Sequence, residues 1–413
     1  MLIRLRVPAR VRARSRSISV LFLGTDNVSL PTLHALHASL RNEGPRASLI
    51  TSLTIVCPSD RPVGRGRERA AMPVAAFARR HALPLIEVPY GIRDLGAWWS
   101  EASAAARDTC GRTAWDVGVV VSFGYFIPPS ILGALARGAI NVHPSALPRH
   151  RGAAPVPATI LAGDAHTAVS VIEIHASRFD AGRVLLARPV AVEPYETAPS
   201  LLGRLADVGA TAALDTLADL DALRARAGPQ DEALATRAPK LKPEDGLIDW
   251  SRDDAACVLR KLRAFAGSIG IFSLIKTAAE PMRIAGNLGN GSSPGTGSGA
   301  SAQAPPPRRV ALLALAHADK EADAALRALP QTPLTPGRIA FDAKTRCLFV
   351  LAACGGWLRL DKLCVESRAP VTGVAFAAGL RLSRPPRPRE GDGRGCSSAS
   401  TQAEDFFLTG WTL

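Results

Sequence analysis

The sequence predicts an α/β protein, with a Rossmann-like N-terminal domain followed by a small β-barrel. Two observations predict it. Over the first half, short apolar runs alternate with helix-like stretches, the pattern of a mostly parallel sheet. Toward the C-terminus such runs follow one another with only turns between them, the pattern of a small barrel. A chain of 413 residues, 47% of them hydrophobic, suffices for two domains with their own cores.

The first strand is residues 19–23 (SVLFL), ending at Gly24-Thr25-Asp26. A helix follows over 31–40, a β-rich run over 48–56, a helix over 74–81 and a short strand over 85–88. Residues 115–123 (WDVGVVVSF) are dense in Val and bounded by Gly, and 139–143 (AINVH) form the next strand. Residues 168–174 (AVSVIEI) alternate with period two, as a half-buried strand does. Residues 200–225 are Leu/Ala-rich and predict one long helix. Together, 18–227 make the first domain, and 228–245, with Gly, Pro and Lys, read as a linker. The second domain, 246–413, begins with a helix over 254–265. Its β-like runs are 309–315, 337–341, 347–352 and 357–363, and 403–413 returns to an apolar pattern. Two low-complexity insertions, 287–307 and 383–400, interrupt it.

The net charge of +14 is unevenly placed. Residues 1–17 hold six Arg and no acid, 18–235 hold 20 basic and 20 acidic residues, and 236–413 hold 24 basic and 16 acidic. A neutral first half beside a basic second half fits a catalytic domain joined to one that grips a polyanion, and fits equally a soluble protein with a basic face. The Arg-rich, acid-free start matches an organelle transit peptide better than a secretory signal, the other reading being a disordered basic arm. No apolar run reaches the ~18 residues needed to span a membrane. Seven Cys without Cys-x-x-Cys spacing, and eight dispersed His, argue against a disulfide framework and against a zinc or other metal site. No Gly-x-Gly-x-x-Gly follows the first strand, so a dinucleotide is not supported. The chain reads as a monomer.

The densest chemical signal is residues 141–155 (NVHPSALPRHRGAAP). Asn141 and His143 are two apart at the end of a strand, so both side chains point to one face. That places them beyond the carboxyl edge of the sheet, where open α/β sheets put their ligands. An amide and an imidazole there can hydrogen-bond a carbonyl oxygen as it becomes an oxyanion. An acid should hold the imidazole, and Asp180, 37 residues on, is the candidate. The plainer reading has Asn141 and His143 capping a strand and Asp180 in a turn before Gly182.

These residues resemble the site of the folate-dependent formyltransferase family. That family carries an Asn-x-His pair, a Ser-Leu-Leu-Pro-x-x-Arg-Gly loop and a downstream Asp-x-Gly, matched here by Asn141, His143, residues 145–152 and Asp180 with Gly182. Pro144 stands where Gly is usual and Ala146 where Leu is usual. The resemblance implies that Asn141 binds the formyl oxygen, that a protonated His143 stabilises the tetrahedral intermediate, and that Asp180 holds His143. It also implies 10-formyltetrahydrofolate as the formyl donor, beside Ser145, Leu147 and Pro148.

Longer stretches resemble the branch of that family that formylates methionyl-tRNA: 59–67 (SDRPVGRGR), 152–156 (GAAPV), 238–241 (APKL), 246–250 (GLIDW), 263–265 (RAF) and 403–407 (AEDFF). The likeness implies methionyl-initiator tRNA as acceptor, gripped by Arg61, Arg65, Arg67, Arg69 and Arg151. It also implies an OB-like C-terminal barrel that binds tRNA, and an organelle that starts translation with formyl-methionine, the mitochondrial matrix. Residues 266–270 (AGSIG) depart from the Asn-Pro-Trp-Pro-like pattern usual there. Two rivals are a formyltransferase acting on a small-molecule amine such as a UDP-amino sugar, and a non-catalytic RNA-binding protein. The Arg61–Arg69 loop and basic second half speak against the first, and the intact polar trio speaks against the second.

Overall fold

A computed structural model describes residues 18–63, 68–110, 115–175, 177–277, 308–327, 336–342, 345–353, 355–379 and 406–409. The chain divides into two compact units, Met1–Leu241 and Lys242–Leu413. The division falls within residues 228–245. The expected leader, residues 1–17, and the two expected insertions, 287–307 and 383–400, lie outside the described residues.

The first unit runs β1 (Ile18–Gly24), α1 (Leu30–Leu40), β2 (Ile50–Pro58), β3 (Arg61–Val63), β4 (Glu68–Ala70), α2 (Pro73–Arg80), β5 (Leu85–Val88) and α3 (Leu95–Cys110). It continues with β6 (Val117–Val121), α4 (Pro129–Leu132), β7 (Ala139–His143), α5 (Pro155–Ala162), β8 (His166–Glu173), β9 (Val184–Ala191), α6 (Ala198–Ala218) and α7 (Leu220–Arg226). Seven strands form one sheet in the order β5-β2-β1-β6-β7-β8-β9. The first five are parallel, and β8 and β9 run antiparallel to their neighbours. The chain steps outward from β1 to β2 and β5, then returns to β6 on the other side of β1. That reversal opens a crevice at the carboxyl ends of β1 and β6, and β7 ends one strand away.

The Rossmann-like expectation holds, and burial explains why. All seven residues of β1 (ISVLFLG) are buried, as in a central strand covered on both faces. One face packs Leu21, Leu23 and Val120 against Trp99, Trp115 and Ile131 from α3, α4 and their loops. The other face is covered by α1 and α6. Gly209 lets α6 lie close under β7, since a Cβ there would sit 2.8 Å from the Val142 side chain.

Three local expectations need correction. Residues 200–225 are two helices, α6 and α7, because Asp219 leaves the helical region with φ −120° and ψ 25°. β8 is buried along both faces rather than half-buried. Its Ser170 is 1% exposed because its hydroxyl is spent on the loop after β7. The helices α3, α4 and α5 and the strand β9 were not legible in the sequence pattern.

The second unit holds α8 (Ala255–Ala264), β10 (Ile271–Thr277), β11 (Arg308–His317), α9 (Lys320–Arg327), β12 (Ile339–Asp342), β13 (Cys347–Leu351), β14 (Trp357–Val365), β15 (Val371–Thr372), α10 (Gly373–Gly379) and β16 (Phe406–Thr409). Its strands pair antiparallel in the order β12-β13-β14-β11-β10-β16. The end strands β12 and β16 also approach within 8 Å, so the sheet curls toward closure as a small OB-like barrel does. Asp254 caps α8 by accepting from the Cys257 N–H at 2.7 Å. Buried Trp250 donates its indole N–H to Ser273 at 2.8 Å, which satisfies the one polar atom of a large core side chain.

Candidate active site

β7 pairs Asn141 with Ile172 and His143 with Ser170 on β8, which fixes both side chains on one face at the strand's end. His143 is buried, and its Nδ1 lies 3.5 Å from Asp180 Oδ1. Asn141 donates Nδ2–H to that same oxygen at 3.3 Å. The second carboxylate oxygen accepts from the Gly152 N–H at 2.9 Å. One carboxylate therefore gathers the amide, the imidazole and the loop that follows them.

On its other side, His143 Nε2 lies 3.3 Å from the His150 carbonyl oxygen. His150 adopts a left-handed backbone, φ +60°. Its ring Nε2 is 2.8 Å from Asp164 Oδ2, and its N–H donates to Thr236 Oγ1 at 2.8 Å. Burial, the largest influence, pushes His143 below the ordinary imidazole value, 6.5. The Asp180 carboxylate and the His150 carbonyl pull it back up only in part. Burial thus favours the neutral ring in the resting protein. Both ring nitrogens face acceptors, the Asp180 carboxylate at Nδ1 and the His150 carbonyl at Nε2, so only the protonated ring can donate to both.

The loop after β7 is internally tied. Ser145 is fully buried; its hydroxyl donates to the Arg149 carbonyl at 2.8 Å, and its own carbonyl accepts from Ser170 at 2.7 Å. Ser145, expected at the folate, braces the loop, its hydroxyl bonded within the loop to Arg149 and its carbonyl to Ser170 on β8. Leu147 and Pro148, joined by a cis peptide bond, are half-buried and remain open to a ligand. Beyond them, Arg151 also departs from expectation. Its guanidinium donates to Gln230 Oε1 at 3.0 and 2.7 Å and to Glu232 at 2.9 Å. A fork already committed to protein acceptors is not free to grip tRNA phosphate. Of the expected tRNA-loop arginines, Arg61 and Arg69 stand on the β3–β4 hairpin, and Arg65 and Arg67 lie outside the described residues.

Sequence reasoning missed the segment 228–241. It is not a free linker: Arg151 and Ala238 exchange backbone hydrogen bonds with it and with the loop, Arg151 N–H to Thr236 at 2.8 Å and Ala238 N–H to Arg151 at 2.7 Å. Gly152, φ +125°, permits this approach, since a Cβ would run into the Ala238 carbonyl. Nothing in a Gly/Pro/Lys-rich stretch signals such a role.

Asn141, His143 and Asp180 are bonded to one another and to the backbone of the loop after β7. What they offer is a donor and a proton acceptor at the carboxyl edge of a parallel sheet. That is the chemistry of a group-transfer enzyme working on an acyl carbon.

The comparisons give that class its family. The formyl transferase profile matches residues 18–217, and the formyl transferase C-terminal domain profile matches 240–381. A methionyl-tRNA formyltransferase of Syntrophus aciditrophicus is 34% identical over 258 residues, covering 62% of this chain and 76% of that protein. One from Coxiella burnetii is 35% identical over 268 residues, covering 65% and 78%. A sugar 3N-formyl transferase solved with dTDP and 5-N-formyl-THF aligns at TM-score 0.49 and 10% identity, over 85% of this chain and 99% of that one. The chain belongs to the formyl transferase family.

Proposed function

We propose that this protein transfers the formyl group of 10-formyltetrahydrofolate to the α-amino group of methionyl-initiator tRNA. The observation that carries the reading is the convergence of Asn141 and His143 on one Asp180 oxygen at the carboxyl edge of the sheet. The likeness to methionyl-tRNA formyltransferases over 62% and 65% of the chain supports the acceptor. Leu147 and Pro148 flank the folate in this reading, and the Arg61–Arg69 hairpin grips the tRNA. The acid-free first 17 residues with their six Arg support a mitochondrial matrix setting.

In the reaction, the free amine attacks the formyl carbon and a C–N bond forms. The carbonyl oxygen becomes an oxyanion, to which Asn141 donates. Neutral His143 takes the surplus proton from the attacking nitrogen and passes it to N10 as the C–N10 bond breaks. The charged imidazole exists only during the transfer, when the Asp180 carboxylate and the His150 carbonyl both accept from it and it stands beside the oxyanion. Stabilisation confined to the transition state raises kcat rather than ground-state binding.

The test is a parallel assay of the intact chain with 10-formyltetrahydrofolate. One reaction offers methionyl-initiator tRNA, the other a nucleotide-linked amino sugar. Transfer to the charged tRNA alone is expected. Transfer to the sugar alone would replace this acceptor with a small-molecule amine.

A further inference from the structure

The Asp180 turn is held from outside the site by Gln230. Asp180 sits at φ +52°, a left-handed backbone that a non-glycine residue keeps only when its surroundings hold it. The Gln230 amide N–H donates to the Asp180 carbonyl at 2.8 Å and to the Gly182 carbonyl at 2.7 Å. Its orientation is fixed chemically: the Arg151 guanidinium, which can only donate, meets Oε1 at 3.0 and 2.7 Å, so the NH2 must face the two carbonyls. Arg151 is in turn paired with Glu232 at 2.9 Å, and Arg178 reaches Glu232 at 3.3 Å. Gly182 cannot carry a side chain here, because a Cβ would overlap the Glu173 carbonyl. The turn is thus gripped at both ends of a three-residue span, by a side chain from a segment that packs on the site loop.

We infer that Gln230 is a positioning residue for the reaction: it sets the Asp180 carboxylate where Asn141, His143 and the Gly152 N–H can all use it. The inference rests on the reading of these three residues as the reacting site. The Gln230 amide is spent on Arg151 and on the Asp180 and Gly182 carbonyls. Its effect runs through the backbone of residues 180–182, whose carbonyls lose both donors if the amide is removed, so that the left-handed turn can relax.

The groups facing His143 are Asp180 on one side and His150 on the other, with Asp164 and Arg149 behind His150 and Arg151, Glu232 and Arg178 behind Gln230. Asp180 raises the His143 proton affinity against burial more than the His150 carbonyl does. If Asp180 swings away, burial acts with less opposition, and the imidazole holds its proton less tightly.

The deciding experiment uses the full chain with Gln230→Met, which keeps length and removes both donor and acceptor. The His143 ring signals are titrated by NMR in this variant and in the wild type, and kcat and the folate KM are measured on both. The expected result is a His143 midpoint moved to lower pH. A kcat down about 10-fold or more should accompany it, as a misplacement of order 1 Å can cause, with KM within about threefold. A midpoint unchanged or raised, or kcat unaffected, overturns the inference. Should Gln230→Met not fold, Gln230→Glu retains the acceptor for Arg151 and removes both donations. A kcat equal to wild type there overturns the inference, and a comparable fall upholds it. The NMR titration needs no acceptor substrate, so it decides the role of Gln230 even if the wild type formylates something other than methionyl-tRNA.

Discussion

The two sides of the His143 ring are built differently. Toward Nδ1 stands a full charge, Asp180, shared with Asn141 and the Gly152 N–H. Toward Nε2 stands a neutral carbonyl, that of His150, whose own ring is pinned to Asp164. The charged side decides how the imidazole is oriented and how strongly a proton is held. The neutral side adds an acceptor that matters once Nε2 is protonated. In the resting state burial outweighs both, so the site holds a base that is neutral before transfer and favoured as a cation during it. A site built on the charged side alone would hold an oriented base with no partner for the proton it gains.

If that contrast is right, damage to the charged side should cost more. Asp180→Asn keeps the shape, removes the charge, and should lower kcat about 100-fold, within the range general acid–base groups contribute. Single-turnover transfer checks this, and a loss of only a few-fold would erase the contrast. Asn141→Ala removes the amide donor from the proposed oxyanion and should cost about 10- to 100-fold, somewhat less than a fully buried oxyanion donor, measured the same way. On the neutral side, Asp164→Asn weakens the anchor on the His150 ring. It should lower kcat only a few-fold, in keeping with about 1 kcal/mol for a single hydrogen bond.

The same contrast has a pH signature. His143 must be neutral to accept the proton, so activity falls as pH drops through its pKa, which lies below the ordinary 6.5. Because Asp180 raises that pKa, Asp180→Asn should move the acid limb of kcat to lower pH, whereas Asp164→Asn should leave it nearly in place. Stability follows the same sign. A group whose folded pKa is depressed lets the unfolded chain bind the proton first. The His143 contribution is therefore present above about 6.5 and declines as pH falls toward the folded value. A plot of melting temperature against pH should flatten in that window for His143→Gln.

What could be read from the sequence follows from how local each signal is. Asn141 and His143 lie two apart on one strand, so period-two geometry alone brings them together. Asp180, 37 positions on, was a candidate from the need of a buried imidazole for an acid, and the Asp-x-Gly resemblance singled it out. The β1, β6 and β7 runs were legible because buried parallel strands are continuous apolar stretches. β8 was read as half-buried because Ser170 and Glu173 break its apolar run, and nothing in the sequence says that the Ser170 hydroxyl is turned inward to the Ser145 carbonyl. Ser145 and Arg151 were assigned to ligands by their place in a motif, whereas the fold gives each an intramolecular partner. Gln230 was invisible for the opposite reason: a polar residue in a stretch of Gly, Pro and Lys looks like solvent-facing linker.

The most direct test of the whole reading is single-turnover formyl transfer from 10-formyltetrahydrofolate to methionyl-initiator tRNA, with wild type and His143→Ala side by side and folate binding measured on both. A rate lowered about 100-fold or more with folate still bound is the expected result, as for loss of a group that acts only in the transition state. A variant within a few-fold of wild type would show that the proton and the oxyanion are handled elsewhere, and the assignment of this site would fail.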